Sequence, residues 1–384
     1  DDVILSTTSN KNAETALKFQ LDEPVTIAGN YNDTITFVVD IYGPVLTTEQ
    51  LQKQYTFKYY NTMNLAITDV NNDTVGENAN ANKENAIAGV YIDEHNIPTV
   101  VLLQDATETN TINLLANMNI NLGGNTLSFK TNVGFAGSTD TDYNININGL
   151  LSNSKMEITD TTNAGCLIRT GVSTVTINGG VYNADGALST IDVNANGTFN
   201  AQNCTITARN ANSNVRAVLA ASGSDVELVN CTISADSESG HAYTVYSQGS
   251  LNMQNCNVEA ESISGRGYAL ALQNALATIE NTTATGISSD NVAVGCLSTG
   301  EVTMTNSKLY GFAPYTSDNN ASMGIQNQGT ATLNDCYVMG THSGLSNRGT
   351  LHVNGGTYEV LDNSNQPHIT ESGVYSFALY NKVR

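Results

Sequence analysis

Arg216, His241 and Arg266 follow one another at intervals of 25 and 25 residues, and the last two sit in matching phrases, SESGHAYTV and SISGRGYAL. Three nitrogen-bearing groups at equal intervals suit recognition of an anion, such as a carboxylate or sulfate. Tyr243 and Tyr268, two residues after His241 and Arg266, add aromatic surface beside them. A plainer reading stands next to this one: solvent-facing loops in which Glu238 and Glu261 accompany the cations, an arrangement worth little.

A second constellation is Asp69-Val70-Asn71-Asn72-Asp73-Thr74. Its oxygen-bearing side chains at positions one, three and five match the opening of an EF-hand or dockerin calcium loop, so Asp69, Asn71 and Asp73 are candidate calcium ligands. Position six, where the loop's sharp turn needs Gly, is Thr74, and position twelve, where a bidentate Glu is expected, is Asn80. A solvated Asn/Asp turn is therefore the favoured reading of this stretch.

Charge narrows the partners. Lys and Arg total 15 against 36 Asp and Glu, a formal net charge of -21. A phosphate backbone meets repulsion from such a chain, so nucleic acid is excluded as a partner. The longest apolar runs, such as Val100-Val101-Leu102-Leu103, are too short to cross a bilayer, and no membrane insertion is expected. The first residues, Asp1-Asp2-Val3-Ile4, lack a basic and an apolar leader region, which reads as a mature or trimmed chain. Six Cys occur without a C-x-x-C pair or His/Cys ligand spacing, so no zinc site is expected.

The element that must position the candidate residues is a repeat. One phrase recurs: apolar, polar, apolar, polar, then Asn or Gly, a small residue, one free position, and an apolar residue. It reads VTINGGVY from Val175, FNAQNCTI from Phe199, VELVNCTI from Val226, LNMQNCNV from Leu251 and ATIENTTA from Ala277. VTMTNSKL from Val302, ATLNDCYV from Ala331 and LHVNGGTY from Leu351 continue it. The fifth positions are Gly179, Asn203, Asn230, Asn255, Asn281, Asn306, Asp335 and Gly355, about 25 residues apart on average.

Alternation with period two marks these phrases as strands, and their Asn and Thr content opposes a helix. The parity slips by one at the marker, since Val226 and Leu228 point inward and the next inward pair is Cys231 and Ile233. A marker column restricted to Asn, Asp and Gly is what a left-handed turn requires, and stacked Asn amides there would form an asparagine ladder. A third strand precedes each phrase, as at Arg216–Ala221, Tyr243–Ser247, Tyr268–Leu272, Val292–Leu297 and Met323–Asn327. Cys204, Cys231, Cys256 and Cys336 share one column with Gly180, Thr282, Ser307 and Gly356, which favours packing of small side chains over cross-linking.

Three short strands per coil resemble the right-handed parallel β-helix of the pectate-lyase-like superfamily, over roughly residues 98 to 384. In texture the chain is similar to bacterial surface or adhesin-type β-helix proteins, whose opening coil PTVVLLQDATETNTINLLANMNINLGGNTLSF resembles. Lyases of the superfamily use calcium-binding Asp clusters with Lys and Arg, yet no Lys lies between Lys155 and Lys308. Polygalacturonase-like members carry paired Asp with G-H-G and R-I-K motifs; here Gly240-His241-Ala242 is a partial match and no such Asp pair lies in the repeat.

The expected fold is thus an all-β, right-handed parallel β-helix over 85–384, most regular over 165–384. A small α+β or β-rich domain with its linker is expected over 1–84, with strand-like Ile35–Ile41 and Tyr55–Tyr60, a helical Thr47–Gln54, and a helix within Asn85–Ile97 capping the first coil. The leading functional expectation is a secreted or cell-surface protein that binds carbohydrate or a host-surface ligand without catalysis. A phage tail-fibre or tailspike component, trimeric and part of a virion, is the second, and a polysaccharide lyase or glycoside hydrolase on acidic glycans is the third. Gly373–Tyr380 reads as the first strand of another coil, an edge to be covered by a homotrimer partner, a further domain or the last residues.

Overall fold

The computed structural model describes residues 45–159, 165–313 and 322–361, with the backbone of the strand Phe377–Asn381. The chain divides into two units, Asp1–Leu46 and Thr47–Arg384. Ile35–Ile41 lies outside the described residues.

The second unit is the expected parallel β-helix. Its strands fall into three sheets of 13, 11 and 11 strands, and every third strand of the coil region returns to the same sheet. One coil shows the plan. Asp225–Val229 lies in the first sheet, Thr232–Ser237 in the second and Ala242–Ser247 in the third, and Ser250–Gln254 then pairs in parallel with Asp225–Val229.

Local chemistry sets the corner between the first two sheets. All eight marker residues have positive φ, from 49° at Asn281 to 84° at Gly355. A residue with an ordinary Cβ loses roughly 1–2 kcal/mol in that region, which restricts the column to Asn, Asp and Gly. At one rung the expected ladder forms directly, with Asn230 Nδ2 donating to Asn203 Oδ1 at 3.2 Å.

Inside, each row stacks on the same row of the next coil. Ile177, Ala201, Leu228, Met253, Ile279, Met304 and Leu333 form one such buried column. Burial of a large apolar side chain contributes about 1.5–3 kcal/mol, so a coil gains its stability from its neighbours.

The amino-terminal end is capped by a helix, Met63–Asn71. Met63, Ala66, Ile67 and Val70 repeat at helical spacing and are buried in the same core as the first coils. Thr62 accepts from the Leu65 N–H at 3.1 Å, and Glu108 of the strand Ala106–Glu108 accepts from Met63 and Asn64 N–H at 2.9 and 3.3 Å. The expected cap within Asn85–Ile97 is instead a strand, Ala88–Ile92, antiparallel to Pro98–Leu102. Its Ala-Gly-Val-Tyr-Ile run has β-branched and aromatic residues suited to a sheet, and Gly89 lets the Phe57 ring approach closely, since a Cβ there would lie 2.5 Å from it. The helix Thr48–Gln54 and the strand Lys58–Tyr60 lie within the segments expected for them.

At the other end, Phe377–Asn381 joins the third sheet beside Ser343–Asn347, in line with an additional coil strand.

Candidate ligand-binding face

In the third-sheet strands Val215–Ala220 and Ala242–Ser247 the second and fifth residues are part-exposed and the other four are buried. Arg216, Tyr243 and Tyr268 occupy the second position on three successive coils and are cross-strand neighbours. Leu219, Tyr246 and Ala271 occupy the fifth.

These residues form a stack along the helix axis, in which Tyr268 and Ala271 are buried and Arg216, Leu219, Tyr243 and Tyr246 are part-exposed. The Tyr243 and Tyr268 rings are 5.3 Å apart and 6° from parallel. Arg216 places its guanidinium 5.4 Å from the Tyr243 ring centre and 5.3 Å from that of Tyr246. Tyr246 meets Tyr243 edge-on at 5.7 Å and donates its hydroxyl hydrogen to Gln273 at 2.6 Å. Tyr268, Ala271, Val294 and Met323 make a second apolar cluster outside the main core, with Tyr243, Tyr246, Val292 and Leu297 packed against it.

His241 and Arg266 lie one step before these strands. The Arg266 backbone N–H donates to His241 Nδ1 at 2.9 Å, and Arg266 Nη1 donates to the Tyr268 hydroxyl at 3.3 Å. His241 packs edge-on against Tyr243 at 6.0 Å. Burial, then the neighbouring Arg266 charge, holds the His241 pKa below the ordinary imidazole range.

All five residues singled out from the sequence therefore converge on one face. Two details differ from expectation. Arg216 belongs to the tyrosine column and not to the row of His241 and Arg266, because the coils vary in length and equal spacing along the chain is not equal register. The expected pairing with Glu238 is also absent, since Glu238 bonds Arg209 at 3.2 Å.

Among the described residues, Arg216 makes no ion pair, and its Nε is buried without a hydrogen-bond partner. The guanidinium lies against two aromatic rings and, among the described residues, has no carboxylate partner. Arg169 one row away differs: it pairs with Asp192 at 3.2 Å.

Asp69, Asn71 and Asp73 do not come together. Asp69, on the cap helix itself, is fully buried, accepting from the Tyr60 hydroxyl at 2.9 Å, Asn78 Nδ2 at 2.5 Å and the N–H groups of Asn78 and Gly76. Burial alone would raise its pKa, but these hydrogen bonds outweigh it and hold the carboxyl below the usual range. Asn71 turns to the strand Ile112–Leu114, donating to Asn113 O at 2.8 Å and accepting from Leu115 N–H at 2.9 Å. Asp73 has a φ of 56° in the turn after the helix. Among the described residues, no three His, Cys, Asp or Glu side chains are grouped to hold a metal ion.

A second outward aromatic row escaped the sequence reading. On the second sheet, Tyr310 and Phe312 stack at 5.7 Å, and Tyr337 of the next coil lies 5.8 Å from Tyr310. Lys308, on the same outward side, is the sole Lys or Arg between Arg266 and Arg348. The signal was present: the outward positions after Asn306 are Lys, Tyr and Phe, where the coil after Asn230 has Thr, Ser and Asp and the coil after Asn255 has Asn, Glu and Glu.

No family model, no curated protein and no solved structure matches this chain. Function is therefore read from the face itself.

Proposed function

We propose that this protein is a secreted or cell-surface β-helix that acts as an adhesin or carbohydrate-binding stalk of pectate-lyase-like type. The third-sheet face takes a glycan bearing a carboxylate or sulfate, without catalysis. One observation carries the reading: Arg216, without a counter-ion among the described residues, sits in a continuous Arg216–Tyr243–Tyr268 stack on a strongly acidic chain. The guanidinium fork suits a planar oxyanion, and the phenol hydroxyls and Arg266 border it with hydrogen-bonding groups. The rings support the cation and line up the row; they are occupied with one another, which favours recognition through their polar edges.

A panel of immobilised neutral, uronic-acid and sulfated polysaccharides tests this. Retention by an acidic polysaccharide, weakened by salt and by Arg216→Ala, is expected. Equal retention of wild type and Arg216→Ala overturns the site. Cleavage of an acidic polysaccharide that Arg216→Ala, His241→Ala or Arg266→Ala abolishes overturns the non-catalytic reading.

A further inference from the structure

The small-residue column beside the marker turns holds three cysteines on consecutive coils. Cys204, Cys231 and Cys256 are 4%, 2% and 4% exposed, and the Cys204 and Cys231 sulfurs are 3.5 Å apart. The thiols are free.

Packing does not require sulfur at these places. Thr282 and Ser307 continue the column, and each hydroxyl donates to the carbonyl two residues back, Glu280 at 2.9 Å and Thr305 at 3.0 Å. Cys231 and Cys256 direct their thiols to the equivalent carbonyls, Val229 at 3.2 Å and Gln254 at 3.3 Å. Ser or Thr would serve the column equally, so three successive thiols add a chemistry that the fold does not need.

The backbone places them within bonding reach. The residues that follow, Thr205, Thr232 and Asn257, are in-register partners on parallel strands. Neighbouring strands are about 4.8 Å apart, inside the roughly 4.4–6.8 Å Cα window of a disulfide. Contraction of the sulfur separation to about 2.05 Å asks each sulfur to move by well under ~1 Å. Cys204 and Cys256 are two coils apart, roughly 10 Å by the same spacing, and cannot join.

We propose that these three cysteines are an oxidation site in which a single inter-coil disulfide forms, always including Cys231, by exchange with a low-molecular-weight disulfide. One protein thiolate attacks the small disulfide and releases one small thiol, leaving a mixed disulfide. A neighbouring thiolate then attacks the protein sulfur and releases the second. Two protein thiols lose two electrons and two protons, and the small disulfide becomes two thiols. Cys204–Cys231 is the pair formed in the wild type, and Cys256 stays reduced. The product staples two adjacent coils in the middle of the helix and is reversed by a dithiol.

Cys166, Cys296 and Cys336 have no cysteine at the matching position of the adjoining coils. Their neighbours are Val133 and Ser189, Leu270 and Ile325, and Ser307 and Gly356. Oxidation is thereby confined to the triad.

The test incubates native protein with oxidised glutathione, and separately refolds it in a glutathione redox buffer. Alkylation, unfolding and peptide mapping follow. One Cys204–Cys231 cross-link with four alkylated thiols is expected. Cys231→Ser, which copies Ser307 of the same column and whose folding circular dichroism checks, is expected to keep all its thiols reduced, and Cys204→Ser to shift the cross-link to Cys231–Cys256. Six reduced thiols in the wild type under both treatments, or a disulfide in Cys231→Ser, overturns the proposal.

Discussion

Replacing Asn230 tests the physical basis of the repeat. Its φ of 53° lies in the left-handed region, where a residue with an ordinary Cβ loses roughly 1–2 kcal/mol and Asn and Gly do not. Its side chain also donates to Asn203, in an exposed position, which adds about 0.5 kcal/mol at the lower end of hydrogen-bond contributions. Asn230→Ala is thus expected to lose about 1.5–2.5 kcal/mol. Asn230→Gly loses the amide bond and the greater chain entropy of Gly, together about 1 kcal/mol, but not the backbone strain. Urea unfolding followed by circular dichroism, with slopes compared to check that the same surface is exposed, gives the order wild type, then Gly, then Ala. Equal midpoints for Ala and Gly, or Ala as stable as wild type, would refute the left-handed turn as the reason for the Asn/Asp/Gly column.

Other outcomes follow from individual contacts. A Cβ on Gly311 would lie 2.2 Å from Met323 O, so Gly311→Ala is expected to lower stability by about 1–3 kcal/mol through backbone displacement; an unchanged thermal midpoint contradicts the close approach of the second and third sheets. Phe199 is fully buried, and Phe199→Ala should lose about 3–5 kcal/mol by urea unfolding. Asp69 has a lowered folded-state pKa, so its contribution is complete above the unfolded value of about 3.9 and is lost as pH falls through the lower folded value. Asp69→Asn should flatten that acid-side loss in pH-dependent melts, and an identical acid limb in both proteins would show that the carboxylate does not hold the cap.

Coil architecture was legible because the same side chains must stack on themselves. A one-residue parity slip at Asn230 and a restricted turn column are local signals, repeated at each coil, and the structure has positive φ at all eight markers. The cap was less legible. Met63, Ala66, Ile67 and Val70 have helical spacing over only nine helix residues, and the Glu108 carboxylate that holds the helix start comes from 45 residues away in the chain. The stretch 71–84 is polar, yet Asn78 and Gly76 belong to the hydrogen-bond shell of the buried Asp69.

The candidate face was legible as a list of residues and not as a geometry. Counting 25 residues from Arg216 to His241 put them in one row, while register pairs Arg216 with Tyr243. Ion-pair partners were equally beyond reach from spacing, since Glu238 turned to Arg209 and left the arginines of the face without carboxylates. The calcium motif at Asp69 shows the same limit: a spacing of alternate oxygens cannot say that one carboxylate is enclosed by Tyr60 and Asn78 and another side chain is turned to Asn113.

The central claim rests on Arg216 as an anion-seeking group, and calorimetric titration with a uronic-acid or sulfated oligosaccharide retained in the polysaccharide panel tests it most directly. A charge-assisted hydrogen bond contributes about 1.5–3 kcal/mol, so Arg216→Ala should weaken binding by roughly 10- to 100-fold while leaving the fold intact. Tyr268→Phe, which removes the hydroxyl beside Arg266 and keeps the ring stack, should weaken it by a smaller factor. Undiminished affinity in Arg216→Ala, or binding that does not fall with ionic strength, would contradict an anionic-glycan site on this face.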